Sequence, residues 1–156
     1  MKIVLLGLAC VCVFGCSETK QPPKNLETVR TVEFSDFKFE LTPCNVFSGN
    51  MFSGRRMECS FYITNLSSED KSFAVQRESS LAIGDDGTTY SAEWVTIGGN
   101  MPAQRVNFTY PPNVRIMGSI TFSLLSDTNA KMATLLRINT SRQSLEFRNI
   151  PLSRVD

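Results

Sequence analysis

From Thr31 onward apolar and polar positions alternate with a period of two, which is the mark of strands with one face in a core and one in water. Phe37, Phe39 and Leu41 alternate with Lys38, Glu40 and Thr42; Met57, Cys59, Phe61 and Ile63 alternate with Glu58, Ser60, Tyr62 and Thr64. A polar turn over residues 65–70 leads into a strand over residues 71–76. Two further strands are expected around Asp85-Asp86-Gly87, where Asp-Gly supplies the positive φ of a tight turn. Tyr90, Ala92 and Trp94 share one face of the second, which puts Trp94 in the core, and Gly98-Gly99-Asn100 ends it. Val106, Phe108 and Tyr110 alternate up to the break at Pro111-Pro112. The clearest apolar face runs through Val114, Ile116, Ile120, Phe122 and Leu124, with a gap only at Gly118. Strands over residues 132–139 and 144–150 close the chain, and residues 129–136 are the one stretch where a helix competes. About eight or nine short strands spaced by turns predict an all-β antiparallel sandwich over residues 31–156.

The first residues follow another pattern. Lys2 precedes an apolar run over residues 3–14, and those twelve residues span about 18 Å as a helix against a hydrocarbon core of about 30 Å. A charged start, a short apolar core and a small residue before a polar break form a secretory signal, so residues 1–15 are set apart from the fold. The stretch Val13-Phe14-Gly15-Cys16 resembles the lipobox of bacterial lipoproteins, with Leu8-Ala9-Cys10 a weaker competing match. That resemblance implies diacylglycerol on the Cys16 thiol, cleavage before Cys16 and acylation of the new amine, hence a lipid bilayer as partner. Ser17 stands where Asp would signal inner-membrane retention, so the resemblance implies the outer membrane of a bacterial envelope. Residues 16–30, polar and carrying Pro22-Pro23, are then a flexible linker.

Charge and cysteine use narrow the field. The chain holds 16 basic and 15 acidic residues, and the loss of Lys2 with the leader balances them. The charges are scattered, so no single-sign field steers a nucleic acid, and nucleic-acid binding is excluded from the expected partners. Outside the leader and Cys16 the cysteines are Cys44 and Cys59, an even pair in an exported chain, which reads as a disulfide. The chain contains no histidine. That removes Ser-His-Asp and Cys-His catalysis and His-ligated metals, and the expectation is a non-enzyme with no cofactor and no metal.

A family resemblance rests on three segments: Phe61-Tyr62-Ile63-Thr64-Asn65, residues 81–90 with Asp85-Asp86-Gly87 at their centre, and residues 112–122 opening on Pro112-Asn113. Together they resemble the immunoglobulin-like domains of bacterial lipoproteins, most of unknown function. The resemblance implies an immunoglobulin-like β-sandwich and carries no catalytic residue. Asn113 stands where that family often has Gly, and Asn tolerates the left-handed backbone such a turn uses.

Two segments are candidates for contact. Within the expected disulfide lies NVFSGNMFSGRR; if Cys44 and Cys59 face each other across a hairpin, Met51 and Phe52 fall at its tip. Phe47, Met51, Phe52, Arg55 and Arg56 are then a candidate surface for an envelope protein, since Met, aromatics and Arg are enriched at interfaces. The alternative is that the tip folds back and buries Phe47 and Phe52 as a cap. The second candidate is the loop Ile97-Gly98-Gly99-Asn100-Met101-Pro102-Ala103, which lacks a phosphate-loop pattern. Asp85-Asp86 and Glu69-Asp70 are the tight acidic pairs, and turn chemistry accounts for them better than metal or glycoside chemistry. The Asn-x-Ser/Thr triplets at Asn65, Asn107 and Asn139 matter only in a eukaryotic secretory route. These readings converge on an anchored, non-enzymatic binding or assembly module; an inhibitor acting through the stapled loop is the alternative.

Overall fold

The computed structural model describes residues 30–48, 54–124 and 129–155. Among them are nine strands: β1 (Thr31–Phe34), β2 (Phe37–Phe47), β3 (Arg56–Asn65), β4 (Lys71–Gly84), β5 (Thr89–Ile97), β6 (Arg105–Tyr110), β7 (Arg115–Ser123), β8 (Met132–Thr140) and β9 (Ser144–Val155). The all-β expectation holds, and the period of two reappears as burial. Phe37, Phe39, Leu41, Cys44 and Val46 of β2 and Met57, Cys59, Phe61 and Ile63 of β3 all face the core. The strand order is β1-β2-β3-β7-β5-β4-β8-β9, with β6 on β4; a parallel β2–β9 pairing closes seven strands into a barrel.

Two strands turn the corners of that barrel. β5 pairs with β4 through Thr89, Tyr90 and Ser91, then with β7 from Ala92 to Ile97. β9 pairs with β8 as far as Pro151, then with β2 from Leu152 to Val155. Asn149, at φ 56°, and Pro151, which has no N–H, sit at that second handover. Cys44 and Cys59 lie opposite each other, fully buried, with Cα atoms 4.2 Å apart and their sulfurs bonded. Just before them β2 carries one extra residue between Leu41 and Cys44; Pro43 is exposed in that bulge and the Thr42 hydroxyl donates to the Ser60 carbonyl at 2.9 Å.

Bulges also explain where the alternation misleads. Ala92 pairs with Phe122 but Trp94 with Thr121, so Glu93 is an extra residue and the phase of β5 inverts after Ala92. Val95 and Ile97 are buried, and Trp94 is 44% exposed on the outer face, which corrects its placement in the core. The two segments expected on either side of residues 77–80 are one strand, β4, with a register shift between Gln76 and Leu81 and Ser79 at φ 62°. Inside that irregularity the buried Ser80 hydroxyl donates to the Gln76 carbonyl at 2.7 Å and accepts the Asn139 N–H at 2.8 Å. Within residues 129–136, where a helix competes, β8 begins at Met132 because β4 and β9 flank it on both sides. The Asp-Gly turn forms with Gly87 at φ 80°, and Asn113 takes φ 57° as its side chain allows.

Phe37 and Phe73 meet edge to face at 4.6 Å, and Phe73 stacks on Tyr110 at 4.6 Å, with Phe34 and Phe39 alongside. The gap in the β7 face has a cause: a Cβ on Gly118 would lie 2.6 Å from Ile97 Cδ1 and 2.7 Å from Phe61 Cε2. Those side chains fill the space glycine leaves. Asn65, fully buried, ties the end of β3 to its surroundings. Its Nδ2 donates to the Tyr110 and Glu69 carbonyls at 2.8 and 2.7 Å, and its Oδ1 accepts from the Ser67 N–H and hydroxyl. This triplet is therefore a structural one.

Gly118→Val should lower stability by about 2–3 kcal/mol, because overpacking forces the Phe61 and Ile97 side chains off their sites; chemical denaturation checks it. Tyr110 gives a second expectation. Its hydroxyl is buried without a hydrogen-bond partner among the described residues, and burial pushes the phenol above its ordinary value. A folded-state pKa raised above the unfolded one means stability that is present below pH about 10 and lost as pH rises beyond it. Tyr110→Phe should be neutral or stabilising by about 1 kcal/mol near pH 7, since it removes an unpaired buried group. It should also flatten the loss of stability in urea titrations taken above pH 10.

Candidate functional site

The outer face of the β2–β3–β7–β5 sheet and the end of β5 form a concavity. β5 stops at Ile97, and Gly98 and Gly99, at φ 59° and 77°, turn the chain away from β7. Glycine is needed at 98 on two counts: its backbone is left-handed, and a Cβ there would lie 2.6 Å from the Phe108 ring. The loop then folds back, with Val95 and Ala103 exchanging main-chain hydrogen bonds at 2.8 and 3.0 Å. β7 runs on past the place where β5 leaves it. Between Thr96, Gly98 and Gly99 on one side and residues 115–119 on the other lies a cleft of about 410 Å³.

Its walls are mostly apolar, and Arg115 is the charged side chain in them. The Arg115 guanidinium lies 3.7 Å over the Tyr62 ring, and its Nε is 3.5 Å from Glu40 Oε2, while Glu40 Oε1 faces Lys38 Nζ at 3.3 Å. Register places these groups together: Glu40, Tyr62 and Met117 form one row across β2, β3 and β7, and Arg115 flanks it. An exposed cation on an aromatic face contributes about 0.5–1 kcal/mol, and the ion pairs less. What the arrangement achieves is orientation, since Arg115 is held yet remains 55% exposed. Met117, 55% exposed, supplies flexible apolar contact beside it, and Met101, 85% exposed, lies on the loop that follows Gly98-Gly99.

The other candidate residues fall elsewhere. Partners in the Cys44–Cys59 hairpin keep one register from Cys44 opposite Cys59 through Phe47 opposite Arg56. Met51 and Phe52 themselves, like Cys16 and the linker, lie outside the described residues. Phe47 has the outward phase of β2, half-buried beneath the Arg56 guanidinium at 5.3 Å, and the Arg55 carbonyl accepts from the Leu124 N–H at 2.9 Å. The acidic pair sits in turn geometry: Asp86 Oδ1 accepts the Thr88 N–H and Asp85 Oδ1 the Lys131 N–H. Glu146 is held below the usual carboxylate range first by a hydrogen bond from Arg137 and further by Arg148, on the exposed surface. The Gly98-Gly99 loop borders the cleft.

No known protein-family model matches the chain, and no curated protein matches it. Among solved structures the chain is similar to one titled apo PmoF2 PCuAC domain, with a TM-score of 0.48 and 9% identity, over 79% of this chain and 94% of that one. The exclusion of metal as a partner, which rested on missing histidine and on carboxylates assigned to turns, is withdrawn. Among the described residues no three His, Cys, Asp or Glu side chains gather around one point.

The single tryptophan makes the corrected face measurable. Trp94 fluorescence should be red-shifted in the folded protein and readily quenched by acrylamide. Trp94→Ala should cost less than about 1 kcal/mol, as for an exposed position; a blue-shifted, protected emission would return Trp94 to the core.

Proposed function

We propose that this chain is a membrane-anchored envelope lipoprotein whose all-β domain is a non-enzymatic protein-binding or assembly module. The observation that carries the reading is the cleft beside β7, where an oriented arginine, the exposed Met117 and, on the same outer face, Trp94 and Tyr62 gather. Those residue types dominate the centres of protein interfaces. Cys16 supplies the anchor in this reading, with acyl chains confining the domain to the bacterial envelope, at the outer membrane, and the linker setting its reach. Confinement raises the effective concentration, so a weak contact suffices. The immunoglobulin-like kinship belongs to the same proposal; strands with one face in a common core and the Asp-Gly and Pro-Asn turns support it.

A second reading, an inhibitor acting through the disulfide-closed loop, draws on one observation: Cys44 and Cys59 are bonded and paired across β2 and β3, with the register kept to Phe47 opposite Arg56.

Site-specific photo-crosslinking in the native cell separates the readings. A benzophenone residue at Met117 should yield a discrete protein adduct, weakened when Cys16→Ala abolishes incorporation of labelled palmitate. An adduct from position 52 alone would favour the inhibitor. Blanks from both positions in folded, lipidated protein would overturn the binding module.

A further inference from the structure

Antiparallel strands present the N–H and C=O of each residue to the same side, alternating along the chain. The Met117 carbonyl accepts the Gly98 N–H at 2.9 Å, so the main-chain groups of Met117 point away from β3 and toward β5. Two residues earlier, those of Arg115 point the same way. The last residue of β5 paired with β7 is Ile97, opposite Gly118. Beyond it the Gly98-Gly99 turn carries β5 off, and the Met117 N–H with the N–H and C=O of Arg115 face the cleft side instead of a strand, the Met117 carbonyl being taken by Gly98. β7 thus has a short open edge inside an otherwise closed barrel, and the edge has a pocket built against it.

Geometry and charge together define what fits. Main-chain donors and acceptors along an edge recognise another extended backbone, and a concavity beside them takes one of its alternate side chains. Apart from Arg115 the pocket has little polar lining beyond Thr96 and Ser119, and a Cβ on Gly99 would meet nothing within 4 Å, so the side chain that enters past Arg115 is apolar. Arg115 is anchored on Tyr62 through one face and directed by Glu40 through Nε, which leaves its exposed remainder to meet a carboxylate.

We infer that the open edge of β7 at residues 115–117 binds an extended acidic segment of a partner protein by strand addition, one apolar side chain entering the cleft over Gly98 and Gly99. This rests on the reading of the cleft as a protein-contact site and names the partner's form. The added strand runs beside β7 where β5 has departed, and Met117 closes over it as adaptable rim.

The test uses the disulfide-intact domain and a phage-displayed library of random heptapeptides. Selected peptides should be enriched in Asp or Glu next to an aliphatic or aromatic residue. A synthetic copy of one of them should slow hydrogen exchange of the Arg115 and Met117 amides. Thr96→Trp, which fills the cleft from the outer face, should weaken that peptide at least about ten-fold. Met117→Pro should do the same, since it removes an N–H on the cleft side and leaves the β3 ladder intact; far-UV circular dichroism shows whether each variant folds. Arg115→Met should abolish the preference for acidic peptides. The inference fails if the Arg115 and Met117 amides are already protected in the free domain, or if selected peptides bind Thr96→Trp undiminished. Protection that grows with protein concentration alone would assign the edge to a second copy of the chain and overturn it too. A Met117 adduct in cells combined with no selectable peptide would leave the binding module standing and remove strand addition.

Discussion

Cys44 is the point at which three strands are held. It is bonded to Cys59 of β3 on one side and, through its backbone, begins the parallel ladder that joins β2 to β9 on the other. Without β2–β9 pairing the sheet would be open, with β9 at one end and the part of β2 beyond its β1 pairing at the other as unpaired edges. A parallel ladder of four residue pairs is a weak closure by itself, because parallel pairing is slightly less stable per residue and joins strands far apart in the chain. The disulfide compensates by fixing the strand that β9 must find. A loop of about fifteen residues closed covalently removes about 3 kcal/mol of entropy from the unfolded chain in the chain-entropy picture.

Once β2 and β3 are in register, much else is determined. Phe39 and Phe61 fall on the inner face beside Phe37 and Phe73, and Phe61 reaches into the space over Gly118, where Ile97 of β5 meets it. The β3–β7 and β7–β5 pairings are therefore coupled through one glycine: any side chain there would push apart the two residues that join the strands. β5 can satisfy both β4 and β7 only by bending between them, and the bulge at Glu93 provides the bend. The same bulge delivers Trp94 to the surface, so the exposed face opposite the core is a by-product of barrel closure.

This chain of dependence also explains how much could be read from residues alone. Period-two alternation in β2, β3 and β7 is visible because each runs several residues without irregularity in its core-facing phase. The Asp-Gly and Pro-Asn turns are visible because the backbone angles they need belong to few residue types. Trp94 was misplaced since a bulge inverts phase without any compositional mark, and Glu93 looks like any polar strand residue. β4 looked like two strands because Ser79 and its neighbours are polar, although Ser80 satisfies the backbone from within. The cleft was half legible. Gly98-Gly99 stands out in the chain, but Glu40, Tyr62, Arg115 and Met117 meet only through the register of three strands, which no local pattern contains.

A barrel removes the sheet edges that invite aggregation, and what remains open here is short. β1 has four residues on the outer side of β2, and β6 covers only the first part of β4. The edge at residues 115–117 differs from these two. It is flanked by a cavity and an anchored arginine, and a charged side chain at an edge disfavours indiscriminate pairing with neutral apolar strands. An edge left open in a domain that otherwise closes itself, and guarded by a charge whose direction is fixed by an aromatic ring and a carboxylate, discriminates among strands by their charge. Tethering such an edge at a membrane would let a contact of only three residues operate at high local concentration, with most of the selectivity coming from Arg115 and the cleft.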